Sequence, residues 1–198
     1  MRCRSVNFAE IQQHNRRLSA LSSKHVLLTG CSCGGKSTLL EALDKLGCAT
    51  VPEPGRRIVA EETAVGGKAL PWVDMKAFAQ RAIEMAKSDL EAAQQTGSIV
   101  FFDRGIIDAA VALEHLGGKS VTETLGQTRP YAERVFVFPP WKELFAEDAE
   151  RRHGFDTAVQ EYHRINRALS DLGYKIQEMP KMSVQERVDL VLRECGAL

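Results

Sequence analysis

The chain has 198 residues and no net formal charge, because 26 Lys and Arg residues balance 26 Asp and Glu residues. This balance argues against a dedicated nucleic-acid surface or a binder of anionic membranes. No apolar run approaches the roughly 18 residues of a membrane span, and residues 1–23 lack the hydrophobic segment of a secretory signal. The five cysteines form no C-x-x-C pair, which favours free thiols in a reducing compartment. We therefore expect one well-buried domain in a soluble, cytoplasmic protein.

The first half of the chain alternates between strand and helix signals. Residues 1–23 are polar and basic, and they form either a tail or an extra packed helix ahead of the domain predicted over 24–198. The apolar run HVLLTG predicts a strand, and the helix pattern after it stops at Gly47. The segment CATV predicts a short strand that two prolines and a glycine close. Residues 71–95 then carry the longest helical pattern, with Pro71 near its start.

The second half continues the alternation. The runs SIVFFDRG and RVFVFPP are typical of parallel strands buried on both faces, whereas the more polar YKIQEMP predicts a strand nearer an edge. Apolar residues at steps of three and four predict helices over 158–172 and 184–195. Five rounds of strand and helix predict an α/β fold with a mostly parallel sheet and helices on both faces.

A glycine-rich segment joins the first strand to its helix. It satisfies G-x-x-x-x-G-K-[ST], the pattern of a loop whose inward backbone N–H groups hold phosphate at a helix N-terminus. Lys36 would reach the β and γ phosphates of ATP, and the Ser37 hydroxyl would bind Mg²⁺. Two cysteines one residue apart cannot complete a zinc shell, so a metal clamp is disfavoured. The predicted ATP-contacting residues of this loop are Gly30, Cys31, Ser32, Cys33, Gly34, Gly35, Lys36, Ser37 and Thr38.

Charged residues follow all four of the other predicted strands, at the ends where ligands of parallel α/β sheets bind. They are Glu53, Asp103 with Arg104, the EDAERR segment after Trp141, and Lys181 after Pro180. Asp103 ends a buried strand and is either a Mg²⁺-binding carboxylate or the N-cap of the next helix. Arg104 beside it would contact phosphate or form a surface ion pair. Glu53 would accept the proton of an acceptor hydroxyl, or it is a turn carboxylate paired with Arg56 or Arg57.

The charged segment WKELFAEDAERRHGFD lies between the fourth strand and the next helix. Asp148 and Arg152 are one helical turn apart, so a solvated ion pair is one interpretation. The other is a lid, around residues 141–156, whose Arg151 or Arg152 moves onto the transferring phosphate.

With these motifs, residues 24–195 resemble the nucleoside and nucleotide kinase branch of the P-loop proteins. More closely, they resemble the small bacterial "AAA domain" ATPase or kinase-like proteins grouped with the nicotinamide-riboside kinases. The resemblance rests on TGCSCGGKST, VPEPGRRIV, GGKALPW, FFDRGIIDA, FPPW with EDAERR, and EMPKMSVQERV. It implies a three-layer fold with a five-stranded parallel sheet in the order 2-3-1-4-5, ATP with Mg²⁺ as donor, and an arginine-bearing lid.

The resemblance also assigns residues. It implies that Asp103 and Arg104 form the acidic-Arg motif of nucleoside kinases, that Glu53 is the base, and that Pro180 and Lys181 lie by the adenine. Arg151 and Arg152 correspond to lid arginines. Gly105 stands where many nucleoside kinases have Ser, which leaves the acceptor open.

The leading hypothesis is an ATP- and Mg²⁺-dependent kinase acting on a hydroxyl of a small, nucleoside-like acceptor. The alternative is an ATPase switch whose nucleotide state controls a protein partner, with the 71–95 helix and the N-terminal segment as the partner surface. A nucleotide-binding module without catalysis is the third hypothesis.

Overall fold

The computed structural model describes residues 24–32, 34–126, 128–142 and 154–196. Within these ranges the chain builds a five-stranded sheet in the order β2-β3-β1-β4-β5, and every neighbouring pair is parallel. The predicted α/β class and strand order are thereby confirmed. The strands are β1 (His25–Gly30), β2 (Ala49–Val51), β3 (Val100–Asp103), β4 (Arg134–Phe138) and β5 (Lys175–Glu178).

Helices connect the strands and cover the sheet. In the part of the chain that the structure describes, no helix is both long and apolar enough to cross a membrane. The helices are α1 (Lys36–Lys45), α2 (Pro54–Val65), α3 (Met75–Gln94), α4 (Ile106–His115), α5 (Val121–Leu125), α6 (Phe155–Asp171) and α7 (Val184–Glu194).

Burial follows the position of each strand in the sheet. All residues of β1 and β3 are buried, as their continuous apolar runs predict for inner parallel strands. Strand β5 is largely exposed and lies at an edge, as its polar sequence predicts. The register aligns Leu28 with Asp103 and Gly30 with Phe138, so β1, β3 and β4 end close together. The glycine-rich loop begins at that common end.

Two apolar layers sandwich the sheet. On one face, strand residues such as Leu27 and Phe102 pack with residues of α3, α4 and α6. On the other face, Leu28 and Phe136 pack with residues of α1 and α7. This three-layer arrangement holds α1 and α7 side by side on one face of the sheet.

Two sequence interpretations were wrong in detail. The helix predicted over 71–95 begins at Met75, because the Asp74 carboxylate caps it by accepting a hydrogen bond from the Ala77 N–H (2.9 Å). Pro71 lies in the preceding turn. Pro54 does not merely close a strand: it is the first residue of α2, where its missing N–H costs nothing and its fixed φ suits a helix.

Candidate functional site

The glycine-rich loop is pressed against the end of β4. The N–H of Cys31 donates to the Phe138 carbonyl (2.8 Å), and a Cβ at Gly30 would lie 2.4 Å from that same oxygen. Gly30 and Gly35 have φ values of 109° and 75°, which side chains disfavour. The pattern glycines are therefore required by the backbone path and by close approach, and helix α1 begins directly after Gly35 with no acidic residue in its first turn.

Lys36 is buried at the base of this loop. Its Nζ donates to the carbonyl of Cys31 (2.6 Å) and lies 3.5 Å from that of Gly30. Burial lowers the pKa of the ammonium, and the positive charge of Arg104 lowers it further, although Asp103 and Glu53 act in the opposite direction. Lys36 thus binds two carbonyl groups of the loop, and a phosphate oxygen could take their place as the acceptor of its hydrogen bonds.

Ser37 and Asp103 meet at the same place. The Ser37 hydroxyl donates to Oδ2 of Asp103 (2.9 Å). Oδ1 of Asp103 is buried and has no hydrogen-bond partner among the described residues. Burial raises the pKa of Asp103, against the lowering effect of the Lys36 charge. Asp103 does not cap the next helix, because Gly105 occupies that N-cap position.

Arg104 is surrounded by carboxylates. Its Nε lies 3.3 Å from Oε1 of Glu53, and its Nη1 lies 2.6 Å from Oε1 of Glu161 and 3.4 Å from Oδ1 of Asp108. Its Nη2 donates to the Ser32 hydroxyl of the loop (3.2 Å). Burial alone would lower the pKa of Arg104, but the three carboxylates hold it well above its ordinary value. The interpretation of Arg104 as a surface ion pair is therefore wrong.

The backbone of Arg104 is also unusual. Its φ is 59°, the one positive value among the non-glycine residues that the structure describes. Such left-handed conformations in residues with side chains are costly and occur preferentially at functional sites. The turn after β3 is therefore strained at Arg104, the residue whose guanidinium contacts Ser32 of the loop.

Glu53 occupies the N-cap position of α2 without a capping hydrogen bond from its side chain, and its carboxylate faces two guanidinium groups. Besides Arg104, its Oε2 lies 3.3 Å from Nε of Arg56, as one sequence interpretation predicted. Arg57 instead pairs with Asp89. Gly55 leaves room beside Glu53: a Cβ there would lie 3.5 Å from Oε1 of Glu53 and 3.2 Å from the ring of Phe78. The Glu53 carboxylate and the edge of the Phe78 ring thus both border Gly55.

This arrangement can be compared with known proteins. The family model described as "AAA domain" matches residues 25–187. The chain belongs to this family. A search of curated proteins finds no match.

Solved structures share the fold at low sequence identity. NadR in complex with NR has a TM-score of 0.63 and 20% identity, over 88% of this chain and 51% of NadR. This chain therefore spans about half the length of NadR. A second structure of NadR, with NAD and AMP-PNP, has a TM-score of 0.58 at 19% identity, over 88% and 50% of the two chains.

Two further kinases are similar. Shikimate kinase from Acinetobacter baumannii, in complex with shikimate, has a TM-score of 0.56 at 15% identity, over 91% of this chain and 96% of the kinase. Deoxyadenosine kinase from M. mycoides has a TM-score of 0.53 at 14% identity, over 87% and 98% of the two chains. Together with the family match, these likenesses confirm the predicted P-loop, kinase-like fold.

The oxygen atoms at the end of β3 fit a Mg²⁺ ion. Mg²⁺ prefers hard oxygen ligands and typically takes one or two protein groups plus phosphate and water. Ser37 offers a hydroxyl, and Asp103 offers a buried carboxylate oxygen that lacks a partner within the described ranges. Both residues were predicted for this role, and the structure brings them together.

Three residues in contact with the site were not predicted. Asp108 accepts hydrogen bonds from the Thr29 hydroxyl and from the Gly105 N–H (3.0 Å), and burial raises its pKa. Its place one helical turn after Arg104 was a usable signal. Glu161 had no such signal, because it lies far along the chain and reaches the site only through packing. Arg187 lies in EMPKMSVQERV, a segment that carries the resemblance, but no role was predicted for it.

Three other predicted residues differ in their exposure to solvent. Pro180 and Lys181 are exposed in the loop after β5. Cys31 is fully buried, as a small loop residue should be. Outside the described residues lie Cys33, both lid arginines Arg151 and Arg152, and the N-terminal segment 1–23.

Proposed function

We propose that the chain is a phosphotransferase that uses ATP and Mg²⁺ to phosphorylate a hydroxyl group of a small, nucleoside-like acceptor. One observation carries the proposal: the Ser37–Asp103 pair at the phosphate loop has the Glu53–Arg104 pair directly beside it through the turn after β3. A loop that only binds nucleotide needs no second carboxylate and guanidinium. A kinase needs both, one for the acceptor proton and one for phosphate charge.

On the donor side, the loop N–H groups and Lys36 would bind the β and γ phosphates. Lys36 now donates to the Cys31 carbonyl, so phosphate oxygens would replace a neutral acceptor with a charged one. Ser37 and Asp103 would hold Mg²⁺, which neutralises charge on the phosphates when bound.

On the acceptor side, Glu53 would orient the hydroxyl and take its proton. The acceptor oxygen forms a bond to the γ phosphorus while the bond to the β–γ bridging oxygen breaks, and ADP leaves. Arg104 holds Glu53 through Nε and would stabilise phosphate charge through its remaining donors.

The relatives support this substrate class without deciding it. NadR has been seen with NR and with NAD and AMP-PNP, and shikimate kinase with shikimate. All are similar to this chain in fold at 20% identity or less, and the chain spans half of NadR. A cytoplasmic setting and a lid that carries Arg151 and Arg152 remain predictions from the sequence.

The test is an acceptor screen with the purified chain and Mg-ATP. Nucleosides, nicotinamide riboside and shikimate are offered separately, and ADP release is measured together with the mass of the acceptor. We expect one class of acceptor to stimulate ADP release and to gain a phosphoryl group, and Lys36→Met to abolish both. Equal ADP release with every acceptor and with none, or turnover by Lys36→Met equal to wild type, would contradict the proposal.

A second candidate, the ATPase switch, is favoured by exposed apolar side chains in and beside the connection between α2 and α3. Val65, Trp72 and Val73 are 79%, 42% and 56% exposed at the end of α2 and ahead of α3. Exposed apolar side chains that lie together often mark contacts with partners. Hydrolysis that no small acceptor stimulates, but that a protein does, would favour the switch over the kinase.

A further inference from the structure

Arg187 of α7 lies against the outside of the phosphate loop. It is only 8% exposed. Its Nη1 lies 3.4 Å from the Gly35 carbonyl, its Nε donates to the Met182 carbonyl (3.1 Å), and its guanidinium lies 5.6 Å from the centre of the Trp141 ring. A Cβ at position 35 would lie 2.4 Å from Nη1, so Gly35 is needed for this contact.

The charge of Arg187 has no local compensation in the described part of the chain. No carboxylate there lies within 4.0 Å of it, whereas Arg104 has three such partners and Arg57 has Asp89. Burial accordingly lowers the pKa of Arg187. Buried charges without partners are unfavourable in a resting protein. Such a charge beside a phosphate loop is explained if an anion completes the site.

The contact between Arg187 and the Gly35 carbonyl fixes the orientation of the Gly35–Lys36 peptide group. The Gly35 carbonyl accepts the Leu39 N–H (3.2 Å) as the first hydrogen bond of α1, and Arg187 is its second donor. In a planar trans peptide the C=O and N–H point in opposite directions. Fixing the Gly35 carbonyl therefore fixes the Lys36 N–H toward the phosphate side of the loop. A charged donor on the carbonyl also polarises that N–H, which makes it a stronger donor.

Trp141 extends this contact toward the next segment. The ring lies under the guanidinium, and residue 141 is where the predicted lid begins. Arg187 therefore connects the C-terminal helix, the phosphate loop and the start of the lid segment.

We propose that Arg187 is a positioning residue of the phosphate loop, which fixes and polarises the Gly35–Lys36 peptide for nucleotide phosphate. The inference rests on the proposed nucleotide-binding function and deepens it. Arg187 strengthens the binding of nucleotide phosphate and adds little to the stability of the empty protein.

The experiment measures two quantities in the full chain with Arg187→Met. The first is the dissociation constant of Mg-ADP by calorimetry, and the second is the free energy of unfolding without nucleotide. We expect the dissociation constant to rise about tenfold, the scale of one charge-assisted hydrogen bond, while the stability of the empty protein is unchanged or higher. Arg187→Lys, which keeps the charge but loses the planar fork, should fall between wild type and Arg187→Met.

Arg193→Met is the matched control, because Arg193 is exposed on the same helix and its loss leaves the loop contacts intact. It should bind Mg-ADP like wild type. An unchanged dissociation constant in Arg187→Met would overturn the inference. So would a weaker affinity that is accompanied by a less stable empty protein, because Arg187 would then act only as a structural residue. Arg187→Gln replaces the Met variant if that one does not fold, with the same outcomes. Wild-type protein that binds no nucleotide would instead refute the proposed function.

Discussion

Ser37 and Asp103 are 66 positions apart in the chain, yet the Ser37 hydroxyl donates to Oδ2 of Asp103 at 2.9 Å. The bond joins the first turn of α1 to the end of β3, across the common carboxyl end of the parallel strands. Its acceptor has a second oxygen, Oδ1, that is buried without a partner in the described residues. Only Oδ2 of Asp103 is therefore hydrogen-bonded in the described residues, and Oδ1 is left as a ligand for a cation.

Asp103→Asn should separate nucleotide binding from stability. Because burial raises the pKa of Asp103 in the folded chain, its stabilising contribution is present below the unfolded pKa and is lost as pH rises through the folded pKa. At neutral pH we expect the variant, without nucleotide, to have an equal or higher free energy of unfolding. Any advantage should shrink as pH falls, as urea titrations at several pH values would measure.

The same variant should lose the stabilisation that Mg-ATP gives to wild type. That gain is about 2.7 kcal/mol at a ligand concentration of 100 times the dissociation constant. Glu41→Gln is the control, because Glu41 is exposed on α1. If Asp103→Asn retained the full Mg-ATP effect, the carboxylate would have no part in metal binding.

Glu53→Gln should reduce turnover while nucleotide binding persists. Losing a general base typically costs a factor of about 10² to 10⁴ in kcat. Arg56→Gln removes only the exposed partner of Glu53, an ion pair worth less than about 1 kcal/mol, and should leave turnover within a few fold of wild type. Steady-state kinetics with the acceptor found in the screen measures both. Equal losses in the two variants would mean that Glu53 acts through its ion pairs and not as a base.

Gly105→Ala should destabilise the fold through a steric clash and not through backbone strain. The φ of Gly105 is 178°, which any residue adopts, but a Cβ there would lie 1.9 Å from the Tyr131 hydroxyl oxygen. Overpacking of this kind costs about 1–3 kcal/mol. That hydroxyl also accepts the Ile106 N–H (3.1 Å), a bond the displaced ring would lose.

A double-mutant cycle with Tyr131→Phe checks the cause. The Phe variant removes the clashing oxygen, so Gly105→Ala should cost less in that background than in wild type. Equal costs in both backgrounds would show that the steric explanation is wrong. The same clash disfavours Ser at this position, because Ser also carries a Cβ.

Arg104→Ala and Arg104→Gly should differ, although both remove the same side chain. Each leaves the surrounding, partly buried carboxylates without their cation, so both variants should be less stable than wild type. At a φ of 59°, the left-handed backbone is strained for Ala but not for Gly. The free energy of unfolding of the Gly variant should therefore be higher by about 1 kcal/mol. Chemical denaturation measures the difference; equal stabilities would mean that Arg104 carries no backbone strain.

Three features of the structure could not be predicted from the sequence. Helix α2 was missed because Pro54 and Gly55 commonly interrupt structure, and only the packed position of the segment shows that Pro54 begins a helix. The start of α3 was placed early, because periodicity does not distinguish an apolar turn from the first turn of a helix. The buried environment of Arg104 was likewise hidden, since Glu161 lies 57 residues away.

By itself, the sequence determined the phosphate loop, the parallel sheet and the residues that end its strands. These features are local: a glycine pattern fixes a backbone path, and an apolar run fixes a buried strand. Tertiary structure alone decided which charges meet. Arg187 contacts Gly35 across 152 positions because α1 and α7 pack on the same face of the sheet. Pairing of that kind depends on how the layers assemble, which no local pattern encodes.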